Sequence, residues 1–496
     1  MTSWPNNPLL YEINAWTWLQ TLSEKYDRPV TLADVPDADL DEIAAWPFDA
    51  VWLMGVWERS AEGRRIALEH PGLQHEYHQA LPDFTPQDVI GSPYSVHRYV
   101  VDAHLGGPDA LASIRTRLAE RGMKLVLDFV PNHTATDHPW LETHPDAYLH
   151  GTPQELASRE GCYFYGPGAS ADQIFACGRD PYFPPWTDTA QLNAFDPTLR
   201  ALAIETLHDI AAQCDGVRCD MGMLMVTRIF TQTWGDRAGH PLAREFWTEV
   251  IPAVKAQHAD FLFIAEVYWD MEWELQQQGF DYTYDKRLYD RLLTGPAHTI
   301  AQHLYADLSY QDRLVRLIEN HDEARAQTAL GPARHRPAAV LACTLPGATL
   351  IHEGQTSGCR IKLPVQLGRR PHEEPDRALE GFYRALLADA ALPIYRDGTW
   401  CLRNVASAEP GGGSFANLIA YTWQLGDERR VIVINYAPGR SRGRVLLPDF
   451  GLEGASWTLR EVRDGTTLDA QPGDDLARTG LLVELPGWGA VIWSVE

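Results

Sequence analysis

A (β/α)8 barrel with a small inserted subdomain after its third strand and a C-terminal antiparallel β-sandwich domain is the fold class this sequence predicts. Three observations predict it. From Leu9 to about Leu387, short β-branched or aromatic runs alternate with longer segments of helical period, the pattern of parallel strands joined by crossover helices. After the third run, residues 134–195 break the rhythm with a stretch rich in Pro, Gly, Asp and aromatics. Beyond Pro393 the helical period stops, and short alternating runs separated by turn clusters take over.

Eight runs supply the barrel strands: residues 10–15, 50–54, 124–129, 216–219, 261–266, 282–284, 316–319 and 348–352. The sixth is the weakest, because Phe280-Asp-Tyr-Thr-Tyr-Asp-Lys is short and polar. Between the strands, residues 108–121 place Leu111, Ile114 and Leu118 on one helical face. Residues 197–212 and 241–257 both open with Pro, which suits the first turn of a helix. The stretch 134–195 contains Gly161-Cys-Tyr-Phe-Tyr-Gly-Pro-Gly and Pro181-Tyr-Phe-Pro-Pro-Trp. A structureless loop of that length is uncommon in a compact domain, so the segment predicts a subdomain at the barrel mouth. Runs at 418–424, 430–435, 444–447, 456–462 and 490–494 predict the β module. The expected division is 1–133 with 196–390 for the barrel, 134–195 for the insert and 391–496 for the β domain.

The length of 496 residues fits a barrel with insertions plus a smaller module. Apolar residues at 45% and charged residues at 22% are ordinary for a globular chain. Against 67 Asp and Glu stand 42 Lys and Arg, a formal charge of -25. Such a chain repels phosphate backbones and anionic membrane surfaces, which argues against nucleic acid and membranes as partners; a neutral sugar meets no such repulsion. The seven cysteines are odd in number and form no CxxC pair, so neither a disulfide framework nor a zinc ribbon is expected. No run approaches the roughly 20 apolar residues of a membrane span, and the first residues do not read as a leader. The expected location is cytoplasmic.

In such a barrel the carboxyl ends of the strands carry the active site. Four strands end in unusual chemistry: Leu125-Val-Leu-Asp128-Phe-Val-Pro-Asn132-His133, Gly216-Val-Arg218-Cys-Asp220, Phe263-Ile-Ala-Glu266 and Ile318-Glu319-Asn320-His321-Asp322. Carboxylates at one mouth suit acetal cleavage, in which one group attacks or stabilises the sugar cation while another protonates the departing oxygen. Repulsion and burial are expected to keep one of them a proton donor. Arg218, two residues before Asp220, shares its strand face and is placed to keep Asp220 ionised.

These four segments resemble the ordered signature regions of the α-amylase superfamily, glycoside hydrolase family 13. The resemblance extends to Tyr11-Glu-Ile-Asn, Gly91-Ser-Pro-Tyr94 and Gln191-Leu-Asn193, and covers roughly residues 9–390. It implies Asp220 as nucleophile, Glu266 as general acid/base and Asp322 as a supporting carboxylate. It also implies His133, Arg218 and His321 as substrate-binding residues, Tyr94 as a stacking floor under the sugar, and Asp128 as a support from behind.

Departures from the family pattern accompany the match. Met223 and Leu224 stand where many starch-acting members have Lys-His, removing a sugar contact. Leu224 brings no side-chain oxygen of the kind calcium needs, although Asn132 is retained and Asn193 occupies another candidate position. No cofactor or metal is therefore expected, calcium being the one ion the pattern leaves open. Arg98 replaces a common Asp, Gly91 an Asp that some exo-acting members use, and Gln355-Thr356 a commoner Gln-Glu.

The function expected is a retaining hydrolase of α-glucosidic, chiefly α-1,4-linked, oligosaccharides. The alternative is a transglycosidase, a glucanotransferase or glucoside isomerase, using the same site; a third reading is a non-catalytic sugar-binding protein. Plainer roles stand beside these. Asp128 also reads as a buried hydrogen-bond anchor, the insert's aromatics as packing, Cys214 and Cys219 as core fillers, and His75 and His78 as parts of a polar loop.

Overall fold

The computed structural model describes residues 3–158 and 162–496. Eight strands follow one another in chain order round a closed barrel. They are β1 (Leu9–Asn14), β2 (Ala50–Met54), β3 (Lys124–Phe129), β4 (Gly216–Cys219), β5 (Leu262–Ala265), β6 (Tyr282–Tyr284), β7 (Leu314–Arg316) and β8 (Ala348–His352). Five keep the bounds the sequence predicts. The polar sixth strand forms too, because the hydroxyl of its buried Thr283 accepts a hydrogen bond from the buried Gln276 amide at 3.1 Å.

The seventh strand departs most, pairing two residues earlier than expected. Arg316 is its last residue and not its first. The helix expected to open at Pro241 begins at Phe246 instead, with Pro252 inside it. Glu245, just ahead of it, is turned to accept the backbone N–H of Thr227 at 2.9 Å. The helices Gly107–Glu120 and Pro197–Gln213 lie where their periodicity puts them, the latter capped by Asp196, which accepts from Thr198 and Leu199.

The chain divides into two compact units. Residues 11–284 with 361–372 make up one. Residues 3–10, with 285–360 and 373–496, make up the other. In the first, β2 to β6 pair in parallel, with Arg218 opposite both Asp128 and Ile264. Two ribbons rise from the insert: His133–Ala135 with Thr189–Gln191, and Tyr163–Tyr165 with Ile174–Ala176. The second ribbon corrects the reading of the cysteines. Its register sets Tyr163 opposite Ala176, so Cys162 and Cys177 fall opposite each other, Cα atoms 5.2 Å apart, and are joined by a disulfide. Spacing rules for CxxC motifs do not detect a bridge created by strand pairing. The remaining cysteines, 214, 219, 343, 359 and 401, are free thiols.

In the second unit, β7 pairs with β8 in parallel, and a fully buried ion pair anchors it. Asp285 and Arg316 are both 0% exposed and in contact. His303 adds a contact to Asp285 at 3.0 Å, and Arg316 donates to the Pro346 carbonyl at 2.9 Å and to Gln311 at 3.1 Å. The C-terminal strands build a six-stranded and a three-stranded sheet. Leu418, Val431, Val433 and Trp493 of the larger sheet share one core with Val445, Leu481 and Val483 of the smaller. The pattern Leu481-Leu-Val-Glu-Leu alternates buried and exposed, yet sequence reading misses this strand, as it does Thr399–Arg403, Val405–Ser407 and Thr467–Pro472, which are short and partly polar.

Two measurements check this description. Thiol titration of the denatured, unreduced protein is expected to count five cysteines and, after reduction, all seven; seven before reduction would remove the bridge. Asp285→Ala leaves the Arg316 guanidinium buried without its carboxylate, and should cost about 3 to 5 kcal/mol of unfolding free energy in a denaturant titration.

Candidate active site

The register of β3, β4 and β5 gathers the charged residues of the first unit. Asp220 and Glu266 each directly follow a paired strand end, Cys219 lying opposite Ala265. The ladder continues through them: the Asp220 N–H donates to the Phe129 carbonyl at 2.8 Å, and the Glu266 N–H to the Cys219 carbonyl at 3.0 Å. Because side chains alternate, Arg218 and Asp220 share a face. Arg218 Nη1 lies 2.9 Å from Asp220 Oδ1 and 3.6 Å from Asp128 Oδ1, while Nη2 lies 2.7 Å from Glu266 Oε2.

One guanidinium thus serves three carboxylates, and all four side chains are almost completely buried. Its Nε donates to the Tyr284 hydroxyl at 3.3 Å, and it lies over the rings of Tyr94, Trp52 and Tyr284 at 5.2, 5.3 and 5.8 Å. Burial alone pulls an arginine's pKa down. Here the Glu266 carboxylate, the tyrosines and Asp220 outweigh it and hold Arg218 well above its ordinary value, so it stays charged.

Trp52 Nε1 donates to Asp128 Oδ2 at 3.2 Å, and the Asp128 carbonyl accepts from Trp57 Nε1 at 2.8 Å. Glu266 is held at both oxygens. The Met221 N–H donates to Oε2 at 2.7 Å, and the Tyr268 hydroxyl to Oε1 at 2.8 Å. Met221 reaches this position with φ of 42°, a left-handed conformation costly for a side chain with a Cβ. That turn aims its amide at Glu266.

His133 opens the first ribbon of the insert, paired with Gln191 and only 4% exposed. Burial pushes its imidazole down to about 4, against a backbone hydrogen bond at Tyr94, so it is neutral at neutral pH with one donor and one acceptor. Its ring lies 5.1 Å from that of Trp186. Gly178 gives it room: a Cβ there would sit 3.0 Å from His133 Cβ and 2.6 Å from Thr189 Oγ1.

In the second unit His321 Nε2 contacts Asp322 Oδ2 at 2.9 Å, with His321 buried and Asp322 half-buried. Asn320 Oδ1 shapes the turn by accepting from the backbone of Asp322 and Glu323, at 3.0 and 2.9 Å. Beneath it Glu319, fully buried, contacts Arg325 at 2.7 Å and His352 at 3.2 Å and accepts the Ala326 N–H at 2.7 Å.

The departures have local causes. Gly91 has φ of 90°, and a Cβ there would meet the Arg64 backbone nitrogen at 3.3 Å; an Asp does not suit that backbone. Met223 and Leu224 are buried core residues. Arg98 pairs with Glu58 at 2.8 Å. The amide groups that calcium would need are engaged elsewhere: Asn132 Oδ1 accepts from Gln191 at 2.9 Å, and Asn193 Oδ1 from the Phe195 N–H at 3.1 Å. With their amide oxygens so engaged, and with Leu224 bringing no side-chain oxygen, these residues do not fit a calcium ion.

Sequence reading placed Arg218, Asp220, Glu266 and Tyr94 in one neighbourhood, and the first unit brings them together. It missed Trp52, Tyr268 and Tyr284, and in the second unit the Glu319, Arg325 and His352 cluster. Tyr268 had a signal, standing two residues past Glu266 where alternation can return a side chain to the same side.

A barrel whose strand ends hold paired carboxylates about a buried arginine defines a class of acid/base site. Residues 40–166 match the family model for the α-amylase catalytic domain. The chain is similar to the α-amylase MalA of Haloarcula japonica, 24% identical over 480 residues, 94% of this chain and 58% of that protein. It is also similar to an α-1,4-glucan:maltose-1-phosphate maltosyltransferase of Streptomyces coelicolor, 28% identical over 253 residues, 49% of this chain and 31% of that one. The chain therefore spans little more than half the length of the first relative and about a third of the second. Among solved structures, the maltogenic α-amylase AmyB of Thermotoga neapolitana shares the fold with a TM-score of 0.69 at 18% identity, covering 98% of each chain. The α-amylase of Geobacillus thermoleovorans gives 0.68 at 18% identity, covering 100% of this chain and 99% of that one.

Glu319 makes the site's pH dependence testable. Burial pushes its carboxyl up, but Arg325 and His352 together with the Ala326 amide outweigh burial and bring it to about 2. A carboxyl depressed on folding stabilises fully above its unfolded value of about 4.3 and loses that contribution as pH falls toward 2. Its share is on the order of 3 kcal/mol. Glu319→Gln should lower stability at pH 7 and flatten the acid limb between about pH 4.5 and 2 in denaturant titrations; an unchanged limb would contradict the assignment.

Proposed function

We propose that this chain is a retaining glycosidase of α-glucosidic, chiefly α-1,4-linked, oligosaccharides, built as residues 1–133 with 196–390, an insert at 134–195 and a β domain at 391–496. The observation that supports it most is the shared Arg218, which contacts Asp220 and Glu266 from one guanidinium. Arg218 favours Asp220 as the anion, the form whose oxygen can attack the anomeric carbon. Glu266 passes a proton to the departing oxygen as the bond to the sugar breaks, and a glycosyl ester on Asp220 results. Water then adds to the anomeric carbon while Glu266 takes back its proton, and Asp220 leaves. Asp322, His321 and His133 bind sugar hydroxyls, and Tyr94 supplies an apolar face to the ring.

The relatives include both an α-amylase and a maltosyltransferase by name, so transfer to a second sugar is the alternative fate of the same ester. Incubation with maltoheptaose separates them: products only shorter than the substrate mean hydrolysis, and longer or cyclic products mean transfer. A cytoplasmic placement belongs to this proposal, although the Cys162–Cys177 bridge favours an oxidising compartment; cell fractionation decides between them.

Asp220→Asn should reduce kcat on maltoheptaose by about 10⁴-fold or more. Glu266→Gln should lose about 10²- to 10⁴-fold, and much less on maltosyl fluoride, whose leaving group needs no proton. The first-formed product, followed by NMR, should carry the α configuration. A β product would overturn the retaining mechanism, and absence of any turnover by the wild type would favour the sugar-binding reading.

A further inference from the structure

Arg59 ends a short strand, Trp57–Arg59, that pairs with Val96–Val101, and it lies opposite Val96, two residues past Tyr94. The residue is only 9% exposed. Nη1 donates to the Gly91 carbonyl and, at 3.3 Å, to that of Val365, and the guanidinium lies over the Trp16 ring at 5.3 Å. Nε and Nη2 are buried and meet no hydrogen-bond partner among the described residues. Burial pulls the pKa of Arg59 down, and Asp102, Tyr94 and Asp128 offset only part of that effect.

A buried cation held by carbonyls is an expensive way to fill a core, and its unused donors call for an explanation beyond packing. The two carbonyls belong to segments that run side by side: the Ile90 N–H donates to the Gln366 carbonyl and the Gly368 N–H to the Asp88 carbonyl, both at 2.8 Å. Gly91 opens the turn that carries Tyr94, in which Ser92 Oγ accepts the Tyr94 N–H at 3.2 Å. From this turn the Tyr94 ring reaches Arg218 at 5.2 Å, and the Tyr94 backbone hydrogen-bonds to His133. Gly55, just past β2, makes the close approach of Arg59 possible. Its φ is 79°, and a Cβ there would stand 2.8 Å from Arg59 Nη2 and 3.2 Å from Pro93 Cβ.

We propose that Arg59 is a positioning residue, which clamps the turn Gly91–Tyr94 to the segment at Val365 and so fixes where the Tyr94 ring stands under the sugar. The inference deepens the proposed function and rests on Tyr94 as the apolar face of the site. A planar guanidinium suits the task, because one nitrogen directs its two hydrogens along fixed lines to two carbonyls while the flat group stacks on an aromatic ring. Arg59 acts through Tyr94 and needs no contact with the sugar. A displacement of about 1 Å at a positioned group can cost on the order of 10²-fold in rate.

The test is a double-mutant cycle with Tyr94→Ala, read as kcat/KM on maltosyl fluoride. Arg59→Met keeps an apolar stem beside Trp16 and removes the fork. In the wild-type background it should lower kcat/KM about tenfold. With Tyr94→Ala already present it should change kcat/KM by less than about twofold, since changes at independent sites add and changes at coupled ones do not. Equal factors in the two backgrounds, the result of a purely structural role, would overturn the clamp, as would an unchanged kcat/KM in Arg59→Met alone. If Arg59→Met does not fold, Arg59→Lys, which keeps the charge and loses the planar fork, is put through the same cycle. If the wild type turns over neither maltosyl fluoride nor maltoheptaose, the proposed function fails. The clamp is then read by calorimetric titration of the same variants with maltoheptaose: coupled losses of affinity support it, and additive losses overturn it.

Discussion

The first unit is organised around one buried cation. Three carboxylates from three adjacent strand ends cannot be withdrawn from water together unless something offsets their charge, since the cost of burying each uncompensated anion is several kcal/mol. Arg218 supplies that offset at 2.7 to 3.6 Å from all three. Its fork has a fixed planar geometry, so it sets where Asp220 and Glu266 stand as well as allowing them to be there. Three aromatic rings around it exclude water and add attraction between cation and ring faces. Removing the guanidinium would therefore disturb the carboxylates' positions as well as their charge.

Much of this was legible in the sequence because it depends on period and order. A strand that alternates with period two puts Arg218 and Asp220 on one face whatever surrounds them, and five of the barrel strands needed no tertiary information to be bounded. What was hidden depends on register between distant segments. The Cys162–Cys177 bridge follows from Tyr163 meeting Ala176. The start of the seventh strand follows from Arg316 finding Asp285 inside the second unit. Neither partner announces the other locally, and a lone charged residue at a strand edge reads equally as its beginning or its end.

The fine structure of the site was hidden for a related reason. Trp52 and Tyr284 look like ordinary core aromatics in a list of residues, since their bodies are apolar and only their polar tips matter. It is the N–H of one on Asp128 and the hydroxyl of the other on Arg218 that give them a role. Departures from the family pattern, by contrast, could be seen but not explained. Gly91 stands where it does because its φ of 90° and the nearby Arg64 backbone favour glycine, and Met223 and Leu224 are apolar because they are core.

Backbone strain in the first unit has the same centre. Among the described residues seven that are not glycine have positive φ: Asn7, Asp27, Met221, Trp269, Asp270, Asp449 and Trp488. Three of the seven lie within four residues of Asp220 or Glu266, far more than their share of the chain. At Met221 the strained turn aims an amide at Glu266; at Trp269 it carries a ring out to Tyr182. An unstrained turn at either place would point the group elsewhere, so local stability has been given up where direction matters. That is the relation expected when a rigid scaffold of paired strands over-determines a few positions and the loops beyond it hold a geometry they would not adopt alone.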